Sequence, residues 1–335
     1  MLENRFFEKG MSGAALEDIP WPSTDPSRPL SLLTRCPEAG RTPLVTLHDF
    51  AGAGSVHVKD ERGRMGLGSF KALGAAYVIA CEAEEGRAEG QTFVCASAGN
   101  HGLSVAAGAR AFKARAVIYL SAAVPEAFAG RLRAQGAEVR RVEGSYEDSM
   151  EAAARAAQEN GWKLLSDSSW EGYTEFPHRL MEGYLVMAAE AVEDMPEPPS
   201  HIFLQAGVGG LAAACAAYFR MVWGHGPRII IVEPEAAPAL IESIRAGRFV
   251  ATTGPESAMG RLDCKEASLI ALKGLARDAN AFMTISEAQA EAALAPLAEA
   301  GLETTPSGGA GLAALMSLPP MGPDARVLCI VSEEP

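Results

Sequence analysis

The sequence lacks several patterns that mark large classes of proteins. No run of about 18 uncharged apolar residues occurs, and no basic segment followed by an apolar stretch opens the chain, so no membrane anchor or secretion signal is expected. Basic residues are scarce, because 29 Lys and Arg against 42 Asp and Glu give a net charge of −13, which opposes binding to nucleic acid or anionic lipid. We therefore expect a cytoplasmic protein that binds neither nucleic acid nor a membrane.

The six cysteines also lack a pattern. No two of them form a C-x-x-C pair, so the sequence predicts neither a zinc knuckle nor a redox pair. His178 and His201 have no partner residues at metal-ligand spacing. We expect reduced cysteines, most of them in the core, and no bound metal.

The chain does have abundant apolar material in alternating β-rich and Ala-rich runs. With 335 residues, 48% of them hydrophobic, it can form a substantial core. From Ser55 onward, strand-like runs such as TFVCAS alternate with helical runs such as HGLSVAAGARAF, and a second series begins at HIFLQAG and closes on RVLCIVS. This alternation predicts an α/β fold with parallel, doubly wound sheets, and the two series predict two lobes with a cleft between them.

A lysine stands on the apolar face of one predicted helix. Lys71 shares that face with Gly74, Ala75 and Val78, at helical spacings of three, four and seven. Desolvation and the positive end of the helix dipole would both favour a neutral amine, as a Schiff-base lysine requires. The same spacing also fits a lysine that extends along the core edge to solvent.

Two glycine-containing turns each follow a strand and precede a helix. The first is SAGNHG at 97–102, where small residues expose backbone N–H groups to an anion such as a carboxylate and Asn100 adds a side-chain donor. The second is GVGGL at 207–211, whose consecutive N–H groups at a helix N-terminus suit a phosphate. An ordinary capped turn between strand and helix is the alternative for the first.

The second turn also supports a competing hypothesis. With Ala212 it fits G-x-G-x-x-A, and Glu233 closes the next strand, where a dinucleotide-binding fold places its ribose-binding acid. An NAD-dependent oxidoreductase is therefore one alternative. A non-catalytic binder of an amino acid or a cofactor is another.

Taken together, these segments carry a family resemblance. A lysine in GSFK, a downstream SAGNHG loop and a later GVGG loop, in that order, resemble the fold type II pyridoxal-phosphate enzymes, which include threonine dehydratase, serine racemase and tryptophan synthase β. Within that family the chain is most similar to the diaminopropionate ammonia-lyases. The strings that carry this likeness include KDERGRMGLGSFKALGAAY (59–77), DSSWEGYTEFP (167–177) and SHIFLQAGVG (200–209).

The resemblance implies an architecture and a reaction. It implies two lobes with twisted, mainly parallel sheets flanked by helices, and pyridoxal 5′-phosphate in the cleft. Residues 1–65 and 176–335 would form the large, cofactor-binding lobe, and residues 66–175 the small lobe. The implied reaction is β-elimination on a small L-amino acid resembling 2,3-diaminopropionate, giving a 2-oxo acid and ammonia; dehydration of L-threonine, L-serine or another 3-hydroxy amino acid is the alternative. A homodimer is also implied.

The resemblance further assigns the cofactor-binding residues. Lys71 would bind the cofactor covalently and Phe70 would cover one face of its ring. Asn100 would bond its 3-hydroxyl oxygen. The phosphate would lie on the turn formed by Gly207, Val208, Gly209, Gly210 and Leu211. Ser332 matches the partner of the pyridine nitrogen, with Ser307 as a second candidate; a hydroxyl there leaves that nitrogen unprotonated and favours elimination.

The remaining assignments concern the substrate. Ser97, Ala98, Gly99 and His101 would form its binding loop, and the freed Lys71 would remove the Cα proton. Asp167 would recognise a β-amino group by charge or exchange a proton with the leaving nitrogen. Ala98 stands where diaminopropionate ammonia-lyases have an aspartate, so we expect no base on the opposite ring face and poor turnover of D-isomers.

Overall fold

The computed structural model describes residues 1–335, in which strands and helices alternate for most of the chain. The strands are β1 (Leu2–Glu3), β2 (Leu44–His48), β3 (Ala53–Asp60), β4 (Thr92–Ala96), β5 (Arg115–Ser121), β6 (Glu138–Val142), β7 (Lys163–Leu164), β8 (His201–Gln205), β9 (Arg228–Pro234), β10 (Ala281–Ile285) and β11 (Gly322–Val331). The helices are α1 (Ser27–Leu33), α2 (Lys71–Glu84), α3 (Asn100–Ala111), α4 (Glu126–Ala134), α5 (Tyr146–Asn160), α6 (Glu175–Asp194), α7 (Gly210–Trp223), α8 (Ala239–Ala246), α9 (Leu269–Asp278), α10 (Glu287–Glu299) and α11 (Ala310–Met316). Two short 3-10 segments lie at Ala14–Leu16 and Glu61–Gly66.

The strands form two sheets. The larger has seven strands in the order β1-β10-β9-β8-β11-β3-β2, parallel except for the antiparallel edge strands β1 and β2. The smaller has four parallel strands in the order β6-β5-β4-β7. The predicted α/β fold with two mainly parallel sheets is therefore confirmed. The lobe boundaries at 65/66 and 175/176 stay a prediction.

The larger sheet is buried on both faces, which explains why its strands are continuously apolar. Successive side chains of β8 point to opposite faces, so Ile202 and Leu204 join the core beneath α7 and α9, while Phe203 joins the core beneath α10 and α11. β11 is central and pairs with both β8 and β3. Its end therefore lies deep in the molecule, near the ends of its parallel neighbours.

Helix α2 lies between the two sheets. It packs against α3, which covers the smaller sheet, and against α6, which packs on α7 of the larger lobe. Gly74 of α2 permits this close approach, because a Cβ atom there would lie 2.7 Å from the Leu180 side chain. The N-terminus of α2 consequently opens into the cleft. The longest helix, α6, carries several charged residues, and no helix of the structure qualifies as a membrane span.

Candidate active site

Lys71 is the first residue of α2 and lies at the base of the cleft. The preceding residues continue the larger sheet, because Ser69 forms an isolated bridge with Glu333 and the Phe70 N–H donates to the Ser332 carbonyl. The Lys71 ammonium is 5.5 Å from the centroid of the Phe70 ring. The end of β11 thus fixes the backbone from which the lysine projects.

Lys71 forms an ion pair with Asp167, and both side chains are 21% exposed. Burial opposes the charged amine, but the Asp167 carboxylate outweighs it and the pKa of Lys71 lies above its ordinary value. Burial likewise opposes the carboxylate, but Lys71 and then His101 hold the pKa of Asp167 well below its usual range. The chain alone therefore does not favour the expected neutral amine, because Asp167, which lies 96 residues away in the sequence, supplies a counterion.

The loop that carries Asp167 is held by an aromatic turn. The Tyr173 hydroxyl donates to the Leu164 carbonyl at 2.7 Å and accepts from the Ser166 N–H at 3.1 Å. Trp170 stacks on the Tyr173 ring with centroids 4.3 Å apart. The Trp-Glu-Gly-Tyr sequence thus has a physical role, since it fixes the strand end from which Asp167 enters the cleft.

The SAGNHG loop covers the same cleft from the small lobe. The Ser97 hydroxyl accepts from the Gly99 and Gly102 N–H groups at 3.2 and 3.0 Å, which fixes the turn. The N–H groups of Asn100 and His101 open α3 and find no acceptor in the chain. His101 is buried and its Nε2 contacts the Leu165 carbonyl at 2.8 Å. Burial first, with a smaller contribution from Lys71, lowers the pKa of His101.

A carboxylate that sequence reasoning missed lies beside this loop. Glu333 is buried and accepts from the side chains of Asn100 and Thr305. Burial raises the pKa of Glu333 above its ordinary value despite these donors. The predicted cofactor-binding amide of Asn100 is therefore oriented by a second residue of the β11 end. The only available signal was that Glu333 directly follows the predicted Ser332.

The GVGGL turn forms the opposite wall. No backbone oxygen of the chain accepts from the N–H groups of residues 207–212, so a row of free donors stands at the start of α7. Gly207 is needed for close packing, because a Cβ atom there would lie 3.0 Å from the Arg261 carbonyl oxygen. Gly209 has φ +97°, a conformation that favours glycine. This arrangement fits the predicted phosphate site.

The competing dinucleotide hypothesis fails at Glu233. This side chain is fully buried and accepts from the N–H groups of Leu240 and Ile241 at 2.7 and 2.8 Å. Burial raises the pKa of Glu233 to about 8. Because the carboxyl group caps α8 inside the large lobe, it is not available to a ribose in the cleft.

Several buried side-chain atoms around the cleft have no hydrogen-bond partner in the chain, and a bound cofactor could supply the missing partners. The Tyr184 hydroxyl is one, and its ring lies between Gly74 and Gly210, next to the phosphate turn. The others near the cleft are Ser69 Oγ and His101 Nδ1. Because buried polar atoms are normally hydrogen-bonded, this concentration fits a polar ligand that completes the site. Tyr184 was also missed, since a tyrosine on a buried helix gives no sequence signal.

The two candidate serines differ in which of their groups form hydrogen bonds within the chain. Ser307 is buried, and its hydroxyl accepts from the Arg261 N–H at 3.1 Å. Ser332 is also buried but uses its backbone, whose N–H donates to Gly308 and whose carbonyl accepts from Phe70. These contacts leave the Ser332 hydroxyl free for a ligand.

Comparison with known proteins agrees with this geometry. The family model described as "Pyridoxal-phosphate dependent enzyme" matches residues 36–333. The chain is 34% identical over 272 residues to diaminopropionate ammonia-lyase of Salmonella typhimurium, covering 72% of this chain and 67% of that protein. It is 30% identical over 284 residues to human L-serine dehydratase/L-threonine deaminase, covering 83% and 82%.

A solved structure gives the same picture in three dimensions. Escherichia coli diaminopropionate ammonia-lyase, in complex with an aminoacrylate-PLP azomethine reaction intermediate, superposes with a TM-score of 0.86 at 29% identity. The match covers 99% of this chain and 92% of that one.

Proposed function

The chain belongs to the pyridoxal-phosphate dependent enzyme family, and from this premise we propose that it is an ammonia-lyase acting by β-elimination on a small L-amino acid such as 2,3-diaminopropionate. The observation that carries the proposal is the Lys71–Asp167 pair, which lies between a turn of free N–H groups and the SAGNHG loop. The similarity to diaminopropionate ammonia-lyases supports both the family and the elimination chemistry of this proposal.

We assign the cofactor contacts to residues that have unused hydrogen-bonding capacity. The free N–H groups from Gly207 to Leu211 would hold the phosphate of pyridoxal 5′-phosphate, Asn100 its 3-hydroxyl oxygen, and Ser332 its pyridine nitrogen. Both hydroxyls keep an O–H that can donate to this nitrogen, and Ser332 is preferred because the family resemblance places it there and Ser307 is already oriented by the Arg261 N–H. When bound, the cofactor supplies an electron sink for the amino acid joined to its aldehyde carbon.

Lys71 and Asp167 carry the proton chemistry in this proposal. With Lys71 engaged by the cofactor, Asp167 would be available to pair with a β-ammonium group of the substrate. Lys71, as a free amine, would take the Cα proton of the substrate. Its place at the start of α2, fixed by the pairing of Phe70 with Ser332, holds the amine at the base of the cleft.

The bonds and protons balance for this reaction. The Cα–H bond breaks and its proton goes to Lys71, while the Cβ–N bond breaks and the substituent leaves as ammonia with the bonding electron pair. The enamine that is released takes up one water and yields a 2-oxo acid and a second ammonia. Asp167 stabilises the β-ammonium before it departs.

The test is a substrate panel on the purified, cofactor-loaded enzyme. L- and D-2,3-diaminopropionate, L-serine and L-threonine are compared by release of ammonia and 2-oxo acid. We expect turnover of L-isomers and much slower turnover of D-isomers, because Ala98 supplies no second base. Equal rates for the two enantiomers would contradict this role of Ala98.

Asp167→Asn then tests the recognition of the β-ammonium group. We expect it to lower kcat/KM for 2,3-diaminopropionate by at least about 100-fold, because a charged hydrogen bond at the reacting group is lost. Asp278→Asn is the matched control, since Asp278 is also buried and ion-paired but its partner is Arg277. Unchanged turnover in Asp167→Asn would refute the assigned role.

A second candidate function is dehydration of a 3-hydroxy amino acid. Two observations favour it: the similarity to human L-serine dehydratase/L-threonine deaminase, and Ala98 in place of the aspartate expected for diaminopropionate ammonia-lyases. Faster ammonia release from L-serine or L-threonine than from L-2,3-diaminopropionate would select it.

We also propose a cytoplasmic homodimer. Six free cysteines fit a reducing compartment, and the dimer rests on the family resemblance. Sedimentation equilibrium should give twice the mass of the chain, and a monomer at micromolar concentration would contradict the dimer.

A further inference from the structure

One cation in the cleft has no role in the chemistry above. Arg261 lies in the segment between α8 and α9, and its backbone is fixed at the cofactor wall: its N–H donates to Ser307 and its carbonyl packs against Gly207. From there the side chain reaches the small lobe, where Nη1 donates to the Ala98 carbonyl at 3.3 Å. A Cβ atom on Gly99 would lie 3.2 Å from Nε, so the guanidinium lies directly on the proposed substrate loop.

Most of the hydrogen-bonding capacity of Arg261 is unused. A guanidinium has five N–H donors, and the Ala98 carbonyl takes one. The nearest carboxylate, Glu333, is 3.8 Å from Nε, and its oxygens are already bound by Asn100 and Thr305. The Arg261 side chain remains 45% exposed. Lys71, by comparison, is closely paired with Asp167.

An anion on the substrate would complete this arrangement. The free N–H groups of Asn100 and His101, at the start of α3, are suited to the α-carboxylate of an amino acid. Arg261 would then face a second anion position, next to Ala98. Because residue 98 is an alanine, no acidic side chain occupies that position. A guanidinium with parallel free donors prefers a carboxylate, which it binds in bidentate fashion.

We propose that Arg261 is a specificity-determining residue that selects substrates with a second carboxylate, namely aspartates that carry the leaving group on the β-carbon. This inference rests on the proposed elimination chemistry. For 3-hydroxyaspartate, the Cα proton and the β-hydroxyl leave as water, and hydrolysis of the enamine consumes one water, so the products are oxaloacetate and ammonia. With a β-amino group instead, Asp167 would bind the amine and Arg261 the carboxylate.

The first experiment measures binding without turnover. Succinate and butyrate have the same number of carbons but differ by one carboxylate, and their dissociation constants for the cofactor-loaded enzyme are measured by calorimetry. We expect succinate to bind at least about tenfold more tightly, because hydrogen bonds to a charged group contribute at least this factor. Arg261→Gln should abolish the preference and Arg261→Lys should restore part of it.

Arg131→Gln is the matched control. Arg131 is also half-exposed and lies 3.8 Å from the carboxylate of Glu334, the residue that follows Glu333. Unlike Arg261, it lies outside the proposed substrate loop. This variant should keep the full preference for succinate. The absence of a preference in the unmodified enzyme would overturn the proposal, and so would an equal weakening of succinate and butyrate in Arg261→Gln, which would place Arg261 on the α-carboxylate.

Kinetics separate this proposal from the proposed function. Arg261→Gln should lower kcat/KM for 3-hydroxyaspartate at least about tenfold more than it lowers kcat/KM for L-serine. If no amino acid releases ammonia but succinate selectivity still depends on Arg261, the lyase assignment fails and the binding role stands. If L-serine is deaminated but succinate is not preferred, the lyase assignment stands and the role of Arg261 fails.

Discussion

Two lysines of this molecule, one fully buried and one partly buried, are both ion-paired, yet their surroundings differ. Lys59 on β3 is fully buried, pairs with Glu190 at 2.7 Å and donates to the Thr42 carbonyl. Arg64 closes this group by binding both Glu190 and Glu61. We refer to these five residues as the Lys59 cluster, and none of its polar side-chain atoms is unpartnered.

Lys71 has one carboxylate partner and incomplete surroundings. Unpartnered buried atoms of Ser69, His101 and Tyr184 lie around it, and a row of free N–H groups faces it from the start of α7. Burial and pairing of a lysine therefore do not distinguish a reactive residue from a structural one. The unused hydrogen-bonding capacity around the lysine does distinguish them. Buried polar groups are normally hydrogen-bonded within the fold, so groups left without a partner indicate the place of a ligand.

The strongest test of this comparison is Lys71→Ala. We expect elimination to fall by at least about 10⁴-fold, because the proton acceptor and the covalent attachment of the cofactor are both lost. Borohydride should no longer fix the cofactor to the protein. Circular dichroism should show an unchanged fold, and residual turnover above about 1% would show that another residue is the base.

Lys59→Met should have the opposite profile. Removing one member of a buried ionic cluster leaves Glu190 with less compensation and should lower the free energy of unfolding by about 3 kcal/mol. Urea denaturation measures this loss. Turnover below the unfolding transition should stay within about threefold of the unmodified enzyme, and a loss comparable to that of Lys71→Ala would remove the distinction between the two lysines.

Acid titration examines the Lys71–Asp167 pair itself. The pKa of Asp167 is lowered in the folded state, so the pair stabilises the protein above the usual carboxyl pKa, and this contribution is lost as the pH falls below about 4. In the cofactor-free protein, Asp167→Asn should cost about 1–2 kcal/mol at pH 7 and progressively less below pH 4. In a Lys71→Ala background most of this pH dependence should be lost, because only the smaller contribution of His101 remains, and an undiminished effect would mean that Asp167 has a further partner.

Two buried serines provide a smaller version of the same contrast. Ser332→Ala removes a hydroxyl that has no partner in the chain and should lower kcat about tenfold, with a shift in the cofactor absorption band. Ser307→Ala removes a hydroxyl already used by the Arg261 N–H and should leave both nearly unchanged. The reverse result would assign the pyridine nitrogen to Ser307.

Tyr184→Phe should give the smallest effect, and its effect should have opposite signs in the cofactor-free protein and in cofactor binding. A buried hydroxyl without a partner is unfavourable, so its removal should raise the stability of the cofactor-free protein by about 1 kcal/mol. If that hydroxyl binds the cofactor, affinity for pyridoxal 5′-phosphate should fall about tenfold in fluorescence titration. Unchanged affinity would exclude Tyr184 from the cofactor contacts.

Sequence patterns predicted the fold well where both faces of a strand are buried. The apolar runs of β4, β5, β8 and β9 are continuous, and each is followed by a helical run, so the parallel sheets were foreseeable. The region from residue 250 to 325 was not, because the long segment before α9 has no regular structure and interrupts the alternation of strands and helices. Arg261 lies in that segment.

The sequence marks candidate site residues mainly where a turn exposes backbone donors. The structure brings the SAGNHG and GVGGL turns and Lys71 to one cleft, and their roles toward a cofactor stay a prediction. Glu333, Tyr184 and the charge of Lys71 were not foreseen, because each depends on contacts between segments far apart in the chain. Local sequence predicts which backbone donors are free, whereas charge states depend on tertiary contacts.

The pairing of residues 68–70 with residues 332–334 has a consequence for biosynthesis. Glu334 N–H donates to the Gly68 carbonyl, Phe70 N–H donates to the Ser332 carbonyl, and Ser69 bridges Glu333. The smaller sheet, residues 92–164, can form while the ribosome is still translating the larger one. The lysine, however, is not held in place until residues some 260 positions later have emerged, so cofactor capture must follow translation of β11. A nascent chain arrested before Ser332 should contain a folded smaller sheet that does not retain the cofactor.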